Sequence, residues 1–126
     1  MAQVVELVSL SGDKIDVYSG EDALTVPMLA MGAAGTISVV SNVVPKLAVS
    51  MTDAFFAGDI EKAAAMQCKL LPLIKALFSE VNPIPAKAAV SAMGFCQDYL
   101  RMPLSQMEDG TRAVLYEEMR KLGINV

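Results

Sequence analysis

The residues of this chain whose types and spacing best suit chemistry are Ser19-Gly20-Glu21-Asp22, at the end of an apolar run. Adjacent carboxylates push apart in pKa and can divide the work of general acid and general base. Acidic residues that open a helix also cap its free N–H groups and meet the positive end of its dipole, and this second reading suits Glu21 and Asp22 better. Gly20 is explained by the backbone freedom a strand-to-helix turn asks for. Lysines are the remaining nucleophiles. Schiff-base chemistry needs an ammonium destabilised by desolvation or by a neighbouring cation. Lys46, in the first turn of a helix, is the one candidate, whereas Lys62, Lys69, Lys75 and Lys87 read as helix-surface charges. The chain has no histidine, so neither a Ser-His-Asp nor a Cys-His arrangement is available. Cys68 and Cys96 lie far apart, without the short paired spacings of zinc or redox sites, and are expected to be buried free thiols. No metal site and no cofactor are expected.

These residues need elements to hold them. Val4, Val5, Leu7, Val8 and Leu10 predict a short helical face that stops at Ser11-Gly12-Asp13. Ile15 to Tyr18 predicts a strand, and the next helix, capped by Asp22 or Thr25 and carrying Pro27 early, is expected to end at Gly32. Thr36 to Val40 is a continuous apolar run, as in strands covered on both faces. Together these form one βαβ unit. In parallel α/β barrels the loops after the carboxyl ends of the strands build the active site, which places Gly20, Glu21 and Asp22 on that rim and Lys14 at the opposite end. A closed barrel needs eight strands and only two are legible, so the chain reads as a piece of an enzyme that opens inside a helix.

Downstream, Pro45 opens a helix running to Gly58, and Asp59 caps the next, whose apolar side carries Ala63, Met66, Leu70, Leu73, Ile74 and Leu77. Pro72 is expected to bend it, because the bond back to Cys68 is lost. Asn82-Pro83-Ile84-Pro85 predicts a rigid extended turn, Ala86 to Met93 a short helix closed by Gly94, and Ser105-Gln106-Met107-Glu108 a capping box opening a last helix that ends near Gly123. The fold class is therefore α/β: residues 1–58 carry two parallel strands with their helices, as a remnant of a parallel α/β barrel, and residues 59–126 are all helical.

Composition narrows the function classes. Of 126 residues, 54% are hydrophobic and 19% charged, which is apolar for a free-standing domain and implies missing partner surface. The net charge of −4, with basic residues scattered singly, excludes a phosphate-binding face, so no nucleic-acid partner is expected. No run approaches the ~20 apolar residues of a membrane span and the first residues lack a basic leader, so a cytoplasmic protein is expected. The nine methionines read as core or interface filler.

Five segments occur together and in order: Ser19-Gly20-Glu21-Asp22-Ala23, Gly35-Thr36-Ile37-Ser38-Val39, Lys69-Leu70-Leu71-Pro72-Leu73, Asn82-Pro83-Ile84-Pro85-Ala86-Lys87 and Leu100-Arg101-Met102-Pro103-Leu104. With them the whole chain resembles the dihydrodipicolinate synthase family, which includes the N-acetylneuraminate lyases. The Gly-Glu-Asp-Ala turn and the Asn-Pro-Ile-Pro turn favour the synthase branch. The resemblance implies a (β/α)8 barrel with a helical C-terminal extension, and condensation of pyruvate with L-aspartate 4-semialdehyde on the way to lysine and diaminopimelate. It implies that a lysine on the sixth strand forms the Schiff base, and that this lysine lies upstream of the present residues. It assigns Ile37 to the pyruvate pocket through its backbone amide and carbonyl, and Gly20 to the adjacent strand end, with Glu21 and Asp22 on the same rim. Thr36 replaces the more usual valine, at little cost if its hydroxyl finds a partner.

The chain alone is expected to be inactive unless an N-terminal half completes it, and to be a homo-oligomer or to self-associate through its unpaired strand edges. The alternative is a non-catalytic helical module that binds itself or a partner, or the product of a truncated gene.

Overall fold

A computed structural model describes residues 1–126, with the side chain of Asp13 excepted. Helix α1 (Ala2–Ser11) leads through a 3₁₀ turn to strand β1 (Tyr18–Ser19). A second 3₁₀ turn, Asp22–Leu24, feeds α2 (Thr25–Ala30), and strand β2 (Gly35–Thr36) follows. The two strands pair in parallel, Tyr18 with Gly35 and Ser19 with Thr36. A third 3₁₀ turn, Val40–Asn42, precedes α3 (Pro45–Phe56), α4 (Ile60–Leu77), α5 (Ile84–Ala92) and α6 (Asp109–Lys121).

The strands are shorter than the apolar runs suggest. Ile15 lies before β1 and is 61% exposed. Only Thr36 of the second run, together with Gly35 before it, joins the ladder, and the chain turns into a 3₁₀ helix at Val40. The helix after β1 is capped by neither Asp22 nor Thr25. The Glu21 carboxylate takes the Ala23 N–H at 3.2 Å, and Asp22 is directed elsewhere.

The core is one cluster that runs from Val26, Val40 and Val44 through Met51 of α3 and Leu70, Leu73 and Leu77 of α4 to Leu115 and Met119 of α6. Helix α3 stops at Gly58, whose φ of 86° is the left-handed conformation glycine tolerates best. Asp59 then caps α4 by accepting the Lys62 N–H at 3.1 Å, so two antiparallel neighbours are joined by a very short link. Pro72 stands inside α4 on its exposed side, where the lost backbone bond faces water, and the helix continues past it to Leu77.

Two expectations fail in the extension. Ile84 and Pro85 form the first turn of α5 rather than an extended turn, the fixed φ of Pro85 suiting that position. Ser105 to Glu108 makes no capping box. Helix α6 begins at Asp109 with no side-chain cap from Glu108. One backbone N–H at its N-terminus is served from another part of the chain: Glu80 accepts from the Glu108 N–H at 3.1 Å and from the Thr111 hydroxyl. A carboxylate delivered to a helix N-terminus from across the fold does the work of a local box.

Both cysteines are free and exposed, against the expectation of burial. Cys68 follows the inward-facing Gln67 by one residue and so turns about 100° away from it, onto the exposed surface of α4. Cys96 lies in the loop beyond α5. No helix of the described residues is long and apolar enough to cross a membrane.

Candidate functional site

The paired strands set the geometry. With Ser19 opposite Thr36, the next register positions, Gly20 and Ile37, stand side by side just past the carboxyl ends of β1 and β2. Ser19 is fully buried, and its hydroxyl donates to the Glu21 carbonyl (2.9 Å) and accepts the Glu21 N–H (3.2 Å), folding the chain tightly around Gly20. Gly20 does not have a positive φ, and a β-carbon there would meet nothing within 4 Å. Backbone freedom is therefore not what this position demands, which corrects the sequence-based explanation of Gly20.

Ile37 is 72% exposed. Its N–H donates to the Ser19 carbonyl at 2.8 Å, closing the strand pair. Its carbonyl accepts no hydrogen bond from the described residues, so the carbonyl is the Ile37 backbone group open to a ligand. Tyr18, 51% exposed, shares this open sheet face, and its ring lies across Gly35 so closely that a β-carbon there would sit 3.0 Å from it. The sheet thus presents Tyr18, Gly35 and Ile37 outward.

The opposite face is sealed by polar contacts. Thr36 donates its hydroxyl to the Ser19 carbonyl (3.2 Å), so the threonine that replaces valine has the partner it needs. Glu21 is exposed on the rim, but Asp22 is 3% exposed and its Oδ2 accepts the N–H groups of Val39 and Val40, both at 2.9 Å. The two carboxylates point to different jobs: Glu21 caps its own turn, and Asp22 caps the turn that follows β2.

Sequence reasoning missed Gln67. Its carboxamide is buried, donating from Nε2 to the Asp22 carbonyl (3.0 Å) and accepting the Val26 N–H at Oε1 (3.1 Å). The signal was available, since Gln67 occupies the same helical stripe as Ala63, Leu70, Ile74 and Leu77, and an amide on an apolar stripe implies a buried partner.

Lys46 is solvent-exposed at the start of α3, and no wall excludes water from its ammonium. An open cleft of about 380 Å³ beside the loop after β2 is lined by Val39, Asn42, Asn82, Lys87 and Cys96, among others. Among the described residues no group of three or more His, Cys, Asp or Glu side chains could hold a metal ion.

Comparison with known proteins agrees with this geometry. Residues 1–121 match the model of the dihydrodipicolinate synthetase family. The chain is 44% identical over 124 residues to the 4-hydroxy-tetrahydrodipicolinate synthase of Pelobacter propionicus, covering 98% of this chain and 43% of that protein. It is 46% identical over 121 residues to the enzyme of the same name from Geobacter sulfurreducens, covering 96% of this chain and 42% of the relative. Among solved structures, the dihydrodipicolinate synthase of Thermotoga maritima superposes with a TM-score of 0.95 at 40% identity, over 98% of this chain and 43% of that one. That of Aquifex aeolicus gives 0.94 at 37%, over 98% and 42%. The chain spans about two-fifths of the length of the curated relatives it matches. Its helices and two parallel strands correspond to part of their barrel structures, and the chain belongs to the dihydrodipicolinate synthetase family.

Proposed function

We propose that this chain is the C-terminal portion of a 4-hydroxy-tetrahydrodipicolinate synthase, the lysine-biosynthetic enzyme that joins pyruvate to L-aspartate 4-semialdehyde, acting in the cytoplasm. In this reading residues 1–58 supply the last two strands of the barrel and 59–126 its helical extension. The reacting lysine comes from polypeptide outside these residues. The observation that carries the reading is the adjacency of Gly20 and the free Ile37 carbonyl at the carboxyl ends of the paired strands, beside the exposed side chains of Tyr18 and Ile37.

A carbonyl acceptor held by a strand ladder orients a polarised N–H, such as that of the iminium formed by pyruvate and lysine, without reorganisation during the reaction. Gly20 leaves room for the three-carbon acid to approach the backbone. Loss of a proton from the pyruvate methyl group turns the iminium into an enamine, whose carbon attacks the aldehyde carbon of the second substrate, forming the new C–C bond as the C=O π bond breaks and its oxygen takes up a proton. Tyr18 and Ile37 are the surface that neighbouring barrel strands cover, and that remainder of the barrel, or another copy, is the expected partner.

The test is intact-mass analysis after incubation with pyruvate and borohydride. This chain alone is expected to gain no adduct, and a mixture with an N-terminal half carrying the lysine is expected to trap pyruvate on that half and recover synthase activity. Trapping on Lys46 of the isolated chain, or no trapping in either sample, overturns the reading. In the active mixture, Gly20→Ala is expected to leave the circular dichroism unchanged and to raise the pyruvate KM about tenfold, about 1.4 kcal/mol of lost binding.

A further inference from the structure

We propose that Gln67 is a positioning residue: through Asp22 it ties helix α4 to the loop that presents Ile37. Its catalytic consequence rests on the function proposed above, but the coupling itself does not.

A carboxamide among apolar side chains is costly unless both of its ends are satisfied. Both ends of Gln67 are satisfied by one short piece of chain more than forty residues away in sequence. Asp22 C=O and Val26 N–H are the pair that an unbroken α-helix would join, four residues apart. Here the side chain of Gln67 is spliced between them, and the backbone changes from 3₁₀ (Asp22–Leu24) to α (Thr25–Ala30) at that point. Insertion of a side chain into the ladder is a recognised cause of such a break.

Asp22 then carries the constraint onward. Its carbonyl is fixed by Gln67 and by the Thr25 hydroxyl at 3.1 Å, while its carboxylate holds the amides of Val39 and Val40. Those amides lie two and three residues past Ile37. Separately, the Thr36 hydroxyl donates to the Ser19 carbonyl, which also accepts the Ile37 N–H. Asp22 thus links the Ile37 loop, through its carboxylate, to α4, through its carbonyl, and Gln67 is the one contact to that carbonyl that comes from another helix. An aliphatic residue of the same length would fill the space and cut the tie to α4, leaving the Asp22 carbonyl to the local Thr25 N–H and hydroxyl.

The experiment is backbone amide exchange read residue by residue on the chain, in the native sequence, in Gln67→Met and in Gln67→Asn. The asparagine keeps the amide but is one methylene too short to span both partners. In both variants protection at Val26, Val39 and Val40 is expected to fall about tenfold or more, while Leu115 and Met119 in α6 keep theirs. Unchanged protection at Val39 and Val40 overturns the proposal. So does an equal fall across the molecule, or failure of both variants to fold, since Gln67 would then be structural only. In the mixture with the lysine-bearing half, Gln67→Met is expected to raise the pyruvate KM with little change in the stability of α6. If the native mixture neither traps pyruvate nor turns over, the functional reading fails and the amide-exchange result still decides the coupling.

Discussion

Asp22→Ala is expected to be the most damaging polar substitution in the chain, lowering the unfolding free energy by about 3–5 kcal/mol. The reason is an orphaning of donors rather than the loss of one bond. The Val39 and Val40 N–H groups share a single carboxylate oxygen in a site where Asp22 is almost fully buried. A buried donor left without a partner costs about 1–3 kcal/mol, and here there are two. Asp22→Asn keeps the shape and an acceptor oxygen but gives up the charge-assisted strength, so about 1–2 kcal/mol is expected. Glu21→Ala, next door, removes only an exposed cap and is expected to cost about 1 kcal/mol or less. Urea denaturation of the three variants measures the ranking. An Asp22→Ala midpoint equal to that of Glu21→Ala would show that the carboxylate does not hold the β2 turn.

The second large effect is expected at Leu77. This side chain, at the end of α4, is wholly buried in the cluster that includes Met51, Leu70, Leu73, Leu115 and Met119. Truncation to alanine removes three carbons from a packed interior and leaves a cavity that surrounding helices only partly collapse, at a cost of about 3–4 kcal/mol. Typical stabilities of about 0.05–0.15 kcal/mol per residue make this a large share of the total. Phe78→Ala, one residue on, is the internal control. Phe78 is 42% exposed, and its loss is expected to cost about 1 kcal/mol or less. The measurement is the denaturant midpoint at unchanged slope; equal shifts for the two variants would place the core elsewhere.

What the sequence made legible follows the range of the forces involved. Pro45, Gly58 and Asp59 mark helix ends through φ restriction and local hydrogen bonds, and the model places the ends of α3 and α4 there. The apolar stripe of α4 is likewise read from its own spacing. Two of the failures involve partners distant in sequence. Ser105 to Glu108 has the composition of a capping box, yet Glu80, 28 residues away, takes the Glu108 N–H. Asp22 looks like a local cap, yet its carboxylate serves residues 17 and 18 positions later. The exposed cysteines show a different limit: an apolar neighbourhood in sequence does not say which side of a helix faces the core. At the candidate site, the motif placed Gly20 and Ile37 at adjacent strand ends. That the Ile37 amide is already committed to Ser19 only the strand register reveals.

The separation between Gln67 and its partners also has a meaning in time. Helices α3 and α4 are joined by three residues and can dock as soon as each has formed, whereas the Gln67 bonds close loops of 41 and 45 residues. Closing a loop of that length costs about 3 kcal/mol in chain entropy before any contact offsets it. The helical hairpin is therefore expected to form early and the rim late, giving φ-values near 1 for alanine substitutions along the α3–α4 seam and near 0 for Asp22→Asn in stopped-flow refolding. The order reversed would mean that the strands nucleate the fold. In the expected order, the rim around Gly20 and Ile37 is the last part of this chain to be built and the first to come apart.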